Sequence, residues 1–474
     1  MHCDLYIDGQ REKAGRYLTV ETPYDGTPVG EAPRATPEEV ARAVAAAAKA
    51  KADAAERTAY QRYQWLSRAA AIVERDRDAF ARTIAAESGK PLREARVEVD
   101  RGIQTLIFSA EEAKRVVGEM LPMDAHPVGR GRFGFTLRRP RGVVACITPF
   151  NFPLNLVCHK VGPALAAGNT VVLKPSEKTP LSAFKLADAF EEAGLPPGYL
   201  NVVGGLGTEV CGPLVTDPRV DMATFTGSAA VGAMLRAMVP LKAFTLELGG
   251  NSAVIIEPDA DLSVAADRCR VGGFSNSGQV CIHLQRVYVH ESRAGEFREM
   301  LAEKAGRLRV GPPLTDDAEV TGLITPAAAE RVHSWVAEAV AGGAKALVGG
   351  GRTGRATVAP TVLADVPPDA RLLREEVFGP VVAVAAYRTL DEAVAAVNAT
   401  RYGLHAGIFT RDIDKALTAA ERLEVGGVMI NDVPTFRTDH MPYGGSKDSG
   451  TGREGPKYAI EEMTEVRAVV INRA

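Results

Sequence analysis

No stretch of the chain approaches the roughly 20 consecutive apolar residues that a bilayer span needs. The first residues, MHCDLYIDGQ, lack a basic region followed by an apolar run, so no signal peptide is expected. Charge of one sign is also missing. Lys and Arg number 56 against 59 Asp and Glu, for a net charge of −3 and a pI of about 6.3. That balance argues against nucleic acid or an anionic membrane as partner. Paired cysteines are missing too. The six, at 3, 146, 158, 211, 269 and 281, have no short spacing, which argues against a disulfide framework or a zinc site. The expectation is a metal-free cytoplasmic protein with a small-molecule ligand.

What is present suits a chain of two to four domains, with 46% hydrophobic and 24% charged residues among 474. Thr36-Pro37-Glu38-Glu39 has the form of a capping box opening an Ala-rich helix, and helical periodicity runs through 60–117. From residue 140 short apolar strands alternate with helices as far as Phe244–Leu246, which predicts a doubly wound parallel sheet. The alternation restarts at Ala253–Ile256 and runs to 427–430, a second α/β unit. Two β-rich segments, RGRFGFTLRRPR (130–141) and Val466–Ile471, fall outside both patterns.

Several stretches carry chemistry. TPFNFP (148–153) and KPSEKTP (174–180) follow the first and second strands of the parallel pattern. Asn151, Lys174 and Glu177 then lie at strand carboxyl ends, where such sheets bind ligands. Asn151 is equally a turn residue between prolines, and Lys174 and Glu177 equally a solvated loop. GGLGTEV (204–210) and FTGSAAVG (225–232) are glycine turns entering helices, a geometry that favours phosphate, although neither turn matches GxGxxG. LELGGN (246–251) places Glu247 at the end of an apolar strand, either a solvated edge acid or a general-base candidate. In SNSGQVCIHLQR (275–286), Cys281 is core filler or a nucleophile at the entry to the second unit.

Taken in order, TPFNFP, KPSEKTP, FTGS, LELGGN, SGQVC, EEVFGPV (375–381) and PYGGSKDSGTGRE (442–454) resemble the NAD(P)-dependent aldehyde dehydrogenase superfamily along almost the whole chain. The resemblance implies two α/β domains plus an oligomerisation β-flap. The cofactor-binding domain would comprise 1–122 and 141–246, with 447–461 packing back on it. The catalytic domain would be 247–446, and the flap 123–140 with 462–474. Cys281 then matches the nucleophile, Glu247 the general base and Asn151 the oxyanion-hole amide. Thr148, Pro149, Phe150, Lys174, Ser176, Glu177, Gly207, Phe225, Thr226, Gly227, Ser228, Leu248, Glu376 and Phe378 match positions around NAD, with NADP possible. A homodimer or homotetramer follows by the same likeness.

The nearest group by motif acts on lactaldehyde, glyceraldehyde and phosphonoacetaldehyde. There the substrate tunnel would be lined by Arg101, by the helix carrying Phe152, Asn155 and His159, and by VPTFRTDH (433–440). Arg101 and Arg437 are candidates to clamp an anionic tail. Phe152 and Val280 add apolar bulk beside them. The expected substrate is a short polar or acidic aldehyde. Other readings are a CoA-acylating aldehyde dehydrogenase, an acyl-phosphate reductase and a catalytically inactive binding or structural homologue.

Overall fold

The computed structural model describes residues 1–473. Its first sheet has eight strands, in the order Gln10–Glu12, Leu5–Ile7, Leu200–Val202, Thr170–Lys174, Val143–Ile147, Met222–Thr226, Ala243–Glu247 and Gly450–Thr451. The five inner strands, Leu200–Val202 to Ala243–Glu247, are parallel, and the flanking ones pair antiparallel. Strands buried on both faces need apolar residues throughout, and every residue of Val143–Ile147 is buried. Counted from Val143–Ile147, the parallel strands stand in the order 3-2-1-4-5. The direction of winding therefore reverses between Val143–Ile147 and Met222–Thr226, and a ligand crevice opens beyond the carboxyl ends at such a reversal.

The second sheet has seven strands, in the order Lys345–Val348, Thr361–Ala364, Val381–Tyr387, Leu284–His290, Ser252–Ile256, His405–Phe409 and Gly427–Ile430. All but the first are parallel to their neighbours. A separate sheet joins Thr464–Asn472, Arg132–Pro140 and Met120–Leu121. Thus the two β-rich segments outside the α/β patterns pair with each other, over nine registered positions.

The doubly wound expectation holds for both units. The helical stretch 60–117 is three helices, Ala59–Arg75, Arg77–Ser88 and Leu92–Ala113, broken at Asp76 and at Gly89–Pro91. Thr36 and Glu39 form the expected reciprocal cap ahead of Pro37–Glu56. Four N-terminal strands had no sequence signal: Leu5–Ile7, Gln10–Glu12, Tyr17–Glu21 and Pro28–Pro33. They are short, and three of the four are partly exposed, so neither a long apolar run nor a clean alternation marks them.

A buried ion pair braces the helices beside the crevice. Lys90 and Glu98 pair with almost no exposure of either side chain. Glu98 also accepts from the backbone N–H of Leu154 (2.9 Å) and Asn155 (3.2 Å), at the start of the helix Asn155–Ala166. Burial pulls the Lys90 ammonium below its usual range, opposed by the Glu98 charge. Replacing Glu98 by Ala leaves that ammonium buried without a partner, which should destabilise the fold by about 3–5 kcal/mol. Denaturant titration checks this, and a loss below about 1 kcal/mol would show that Lys90 is compensated elsewhere.

Candidate active site

The helix Leu262–Phe274 ends in a tight turn, Ser275–Gly278, and the chain then passes Cys281 into the strand Leu284–His290. Asn276, Ser277 and Gly278 are all left-handed, at φ 49°, 54° and 73°. For Asn276 and Ser277 that conformation costs about 1–2 kcal/mol each. It persists because the turn is tied on several sides. The Asn276 N–H donates to Glu94 (2.6 Å), and its amide donates to the carbonyls of Asn151 and Gln279 (3.2 Å each). Ser277 Oγ accepts from the Thr321 N–H at 2.9 Å. The glycine of SGQVC faces the Gly379 carbonyl, where a Cβ would stand 2.0 Å from the oxygen. Gly250 of LELGGN likewise leaves room for the Cys281 carbonyl.

Cys281 is half-buried, whereas the other five cysteines are buried; Cys146 and Cys158 are packed in the core, as their elements predict. Its sulfur lies 2.7 Å from the Tyr443 hydroxyl. Burial pushes the thiol up to about 11, opposed by the Tyr443 hydrogen bond and the Arg437 charge and reinforced by Glu376 and Glu247. The thiol is therefore protonated at neutral pH in the protein alone.

Glu247 ends its strand as predicted and is 3% exposed. Both carboxylate oxygens lack a hydrogen-bond partner among the described residues. Burial, then the Glu454 charge, raise it well above the usual carboxylate range, against Lys160, Arg437 and Arg453. Glu454 goes the other way. Burial raises it, but the charges of Lys160 (3.1 Å) and Arg437 outweigh that and hold it ionised. Of the two acids, Glu247 keeps the proton. Asn151 is buried, and one amide N–H donates to the Gln279 carbonyl at 2.9 Å, leaving its second donor.

Along the carboxyl edge of the first sheet, Thr148 and Thr226 present buried hydroxyls with no partner among the described residues. Pro149 follows Thr148, and the Phe150 ring meets Phe378 edge-on at 5.8 Å. Phe225 is buried in the same strand as Thr226, and Leu248 is buried just past the next strand. Lys174 pairs with Glu177 at 2.9 Å; burial raises that carboxyl, but the Lys174 charge and hydrogen bond bring it below its usual range. Ser176 Oγ accepts from the Lys178 N–H. Gly207 opens the helix Gly207–Thr216, and Ser228, after Gly227, caps the helix Ala229–Met238. Glu376 comes from the second unit and accepts from the Gly250 N–H at 3.0 Å; burial raises it to about 7. Orphaned hydroxyls, two helix N-termini and a lysine–acid pair at the winding reversal fit a dinucleotide.

On the other side of Cys281 is a cavity of about 380 Å³, walled in part by Arg101, Phe152, Val280, Arg437 and Tyr443. Arg101 lines it as expected, and directs Nε (3.2 Å) and Nη2 (2.8 Å) at Asp439, which engages two of its five N–H donors. One expectation is corrected. His159 does not line the cavity. It is fully buried behind the wall, with Nε2 2.9 Å from Asp439 and 3.2 Å from Arg437. A neutral imidazole suits that place, where burial and the Arg437 charge lower its basicity. Arg437 contacts Glu454 at 3.3 Å and keeps a buried Nε with no partner among the described residues. Asn155 lines the cavity and donates to Asp439 at 3.0 Å. Sequence reasoning missed Tyr443, Asp439 and the cavity-lining Arg268 and Lys90. Tyr443 lay within the PYGGSK motif, but nothing in one sequence shows which side chain of a loop faces a distant cysteine.

The Glu247 environment has a measurable consequence. In the unfolded chain Glu247 ionises near the ordinary carboxylate range, while in the fold it stays protonated. Wild-type stability is therefore lost as pH rises between those two points. Glu247→Gln removes that loss. Its melting temperature should match wild type near pH 4.5 and exceed it by about 1–3 °C at pH 8. A difference that does not change with pH would show that Glu247 ionises normally.

The comparisons with known proteins agree with the geometry. The family described as "Aldehyde dehydrogenase family" matches residues 10–469. The chain is 48% identical over 470 residues to the 3-sulfolactaldehyde dehydrogenase of Priestia aryabhattai, covering 99% of this chain and 98% of that one. Aldehyde dehydrogenase 21 (ALDH21) from Physcomitrella patens, solved with the reaction product succinate, superposes with a TM-score of 0.97 at 39% identity, covering 100% of this chain and 98% of that one. Glyceraldehyde-3-phosphate dehydrogenase GapN from Methanocaldococcus jannaschii DSM 2661, solved with NADP, gives 0.93 at 40% identity, covering 97% and 100%. With its sheets, crevice and cysteine arranged as described, the chain belongs to the aldehyde dehydrogenase family.

Proposed function

We propose that this protein oxidises a short polar or anionic aldehyde to its acid through a covalent intermediate on Cys281. The observation that carries the reading is the meeting of one partly exposed sulfur, a partnerless buried carboxyl and a buried amide between a dinucleotide-type crevice and a second cavity. Cys281 attacks the aldehyde carbon after its proton leaves. The spare N–H of Asn151 and the backbone N–H of Cys281 receive the developing oxyanion, a type of contact worth about 3–4 kcal/mol per donor. NAD(P)+, when bound, supplies the hydride acceptor. Its adenosine ribose would be held by Lys174, Ser176 and Glu177, its phosphates by the turns at Gly207 and Ser228, and its nicotinamide ribose and ring by Glu376 and Phe378. Glu247, once deprotonated, takes a proton from the water that cleaves the thioester. Glu177 beside the ribose repels a 2′-phosphate, which favours NAD over NADP.

The division of labour follows the sheets: the first unit holds the cofactor, the second the nucleophile. The sheet Thr464–Asn472, Arg132–Pro140 and Met120–Leu121 would serve assembly as a dimer or tetramer. Val466, Val470 and Ile471 are exposed on that strand, an arrangement that invites a partner.

For the substrate, the unpartnered Arg437 Nε is the donor that most favours a polar or anionic tail, with Arg101 in support. The named relatives are consistent with such a tail: a sulfonated lactaldehyde, a complex with succinate and a phosphorylated glyceraldehyde.

Cys281→Ala should abolish oxidation and keep cofactor binding. Glu247→Gln should give a burst of about one NADH per site and then stall as the thioester. Equal loss of burst and steady rate would place Glu247 before the thioester. In a panel of two- to four-carbon aldehydes, Arg437→Ala should lower kcat/KM for anionic members by about 100-fold, and Arg101→Ala by less. Long aliphatic or aromatic aldehydes outperforming them would overturn the substrate reading. A side-by-side kcat/KM comparison should favour NAD, and a clear NADP preference would overturn the role given to Glu177.

A further inference from the structure

The Tyr443 side chain is placed with unusual care for a residue that the reaction chemistry does not require. It is 2% exposed, and its backbone exchanges hydrogen bonds with Glu454 in both directions (3.0 and 2.7 Å). The Arg437 guanidinium stacks 3.7 Å from its ring centre, and His405 meets the ring edge-on at 5.1 Å. Ring, backbone and cation thus fix the hydroxyl, which lies 2.7 Å from Cys281 Sγ, inside contact distance and within hydrogen-bond reach.

The direction of that bond follows from chemistry. A thiol is a weak donor and a phenol a strong one, and a thiolate can only accept. Burial and the nearby sulfur hold the phenol well above its ordinary range, so it keeps its proton where the cysteine must lose one. The other groups acting on the sulfur are Arg437, whose charge favours the thiolate, and Glu376 and Glu247, which oppose it when ionised. Arg437 meets the ring of Tyr443, so the phenol is the group that links that cation to the sulfur. We infer that Tyr443 donates a hydrogen bond to the Cys281 sulfur, holding it in one orientation and stabilising its thiolate for attack. The step is a proton balance only: the S–H bond breaks, its proton passes to solvent base, and the phenol O–H bond stays intact.

The inference rests on the reading of Cys281 as nucleophile, but its test does not need turnover. Iodoacetamide alkylation of Cys281 is followed from pH 6 to 10.5 by peptide mass in cofactor-free protein, for wild type and Tyr443→Phe. The phenyl ring fills the same space, and cofactor affinity and melting temperature report whether the fold is kept. The Phe variant should be alkylated about tenfold more slowly at any pH below its plateau, with its profile displaced about one unit upward. A second variant with 3-fluorotyrosine at position 443, a more acidic phenol of nearly the same size, should displace the profile downward, and it serves if the Phe variant does not fold. Profiles that coincide in the folded variants overturn the inference while leaving aldehyde oxidation intact. Failure of the wild type to oxidise any aldehyde would overturn the parent reading and leave the thiol titration readable.

Discussion

The arrangement beneath the cavity depends on one electrostatic asymmetry. Two acids, Glu247 and Glu454, are buried close enough for the charge of one to raise the pKa of the other. The cations are shared unequally: Lys160 and Arg437 lie at 3.1 and 3.3 Å from Glu454, whereas Glu247 has no partner among the described residues. Glu454 therefore ionises and Glu247 does not. Arg437 is the common element: with burial it lowers the basicity of His159, it stacks on Tyr443, and its charge favours the thiolate at Cys281.

That asymmetry can act on Cys281 only because two separately wound units meet at close range. The left-handed turn Asn276–Gly278 is the joint. It is held from the first unit by the Asn151 carbonyl and by Glu94, and it returns a contact through the Asn151 amide to Gln279. Strain in the turn and hydrogen bonds across the junction are two sides of one device. The bonds make the unfavourable backbone angles the only compatible ones, and the angles bring Cys281 round to the cavity floor. Gly250 completes it, since any side chain there would press on the Cys281 carbonyl.

Much of this was legible in the sequence, for identifiable reasons. Parallel strands buried on both faces are continuous apolar runs, so Val143–Ile147 and its neighbours could be read directly, and with them the residues at their carboxyl ends. Lys174 and Glu247 are the last residues of their strands, where chain order alone placed them. The short N-terminal strands carried no such pattern: Leu5–Ile7 and Gln10–Glu12 extend the edge of the first sheet, and Tyr17–Glu21 and Pro28–Pro33 pair with each other apart from it. Tyr443, Asp439 and Arg268 were illegible for another reason. Their meaning lies in contacts across hundreds of residues, such as Arg101 with Asp439, and no local periodicity records those. His159 shows the converse limit. The family resemblance placed it on the tunnel-lining helix with Asn155, yet it stands one layer behind the wall, its ring held by Asp439 and Arg437.

The fate of the two arginines decides what kind of selectivity the cavity can have. A clamp of two free guanidiniums would bind anions strongly and neutral aldehydes poorly, because unpaired buried cations are costly without a counterion. Here each arginine already has an acid: Asp439 for Arg101 and Glu454 for Arg437. Arg437 shares its acid with Lys160, so with Glu247 protonated the cluster holds two cations and one carboxylate, and an anionic tail offsets that excess. The remaining discrimination comes from directed donors such as Arg437 Nε, set against the apolar surfaces of Phe152 and Val280. Such a wall grades substrates by the hydrogen bonds they can accept and does not exclude neutral polar ones.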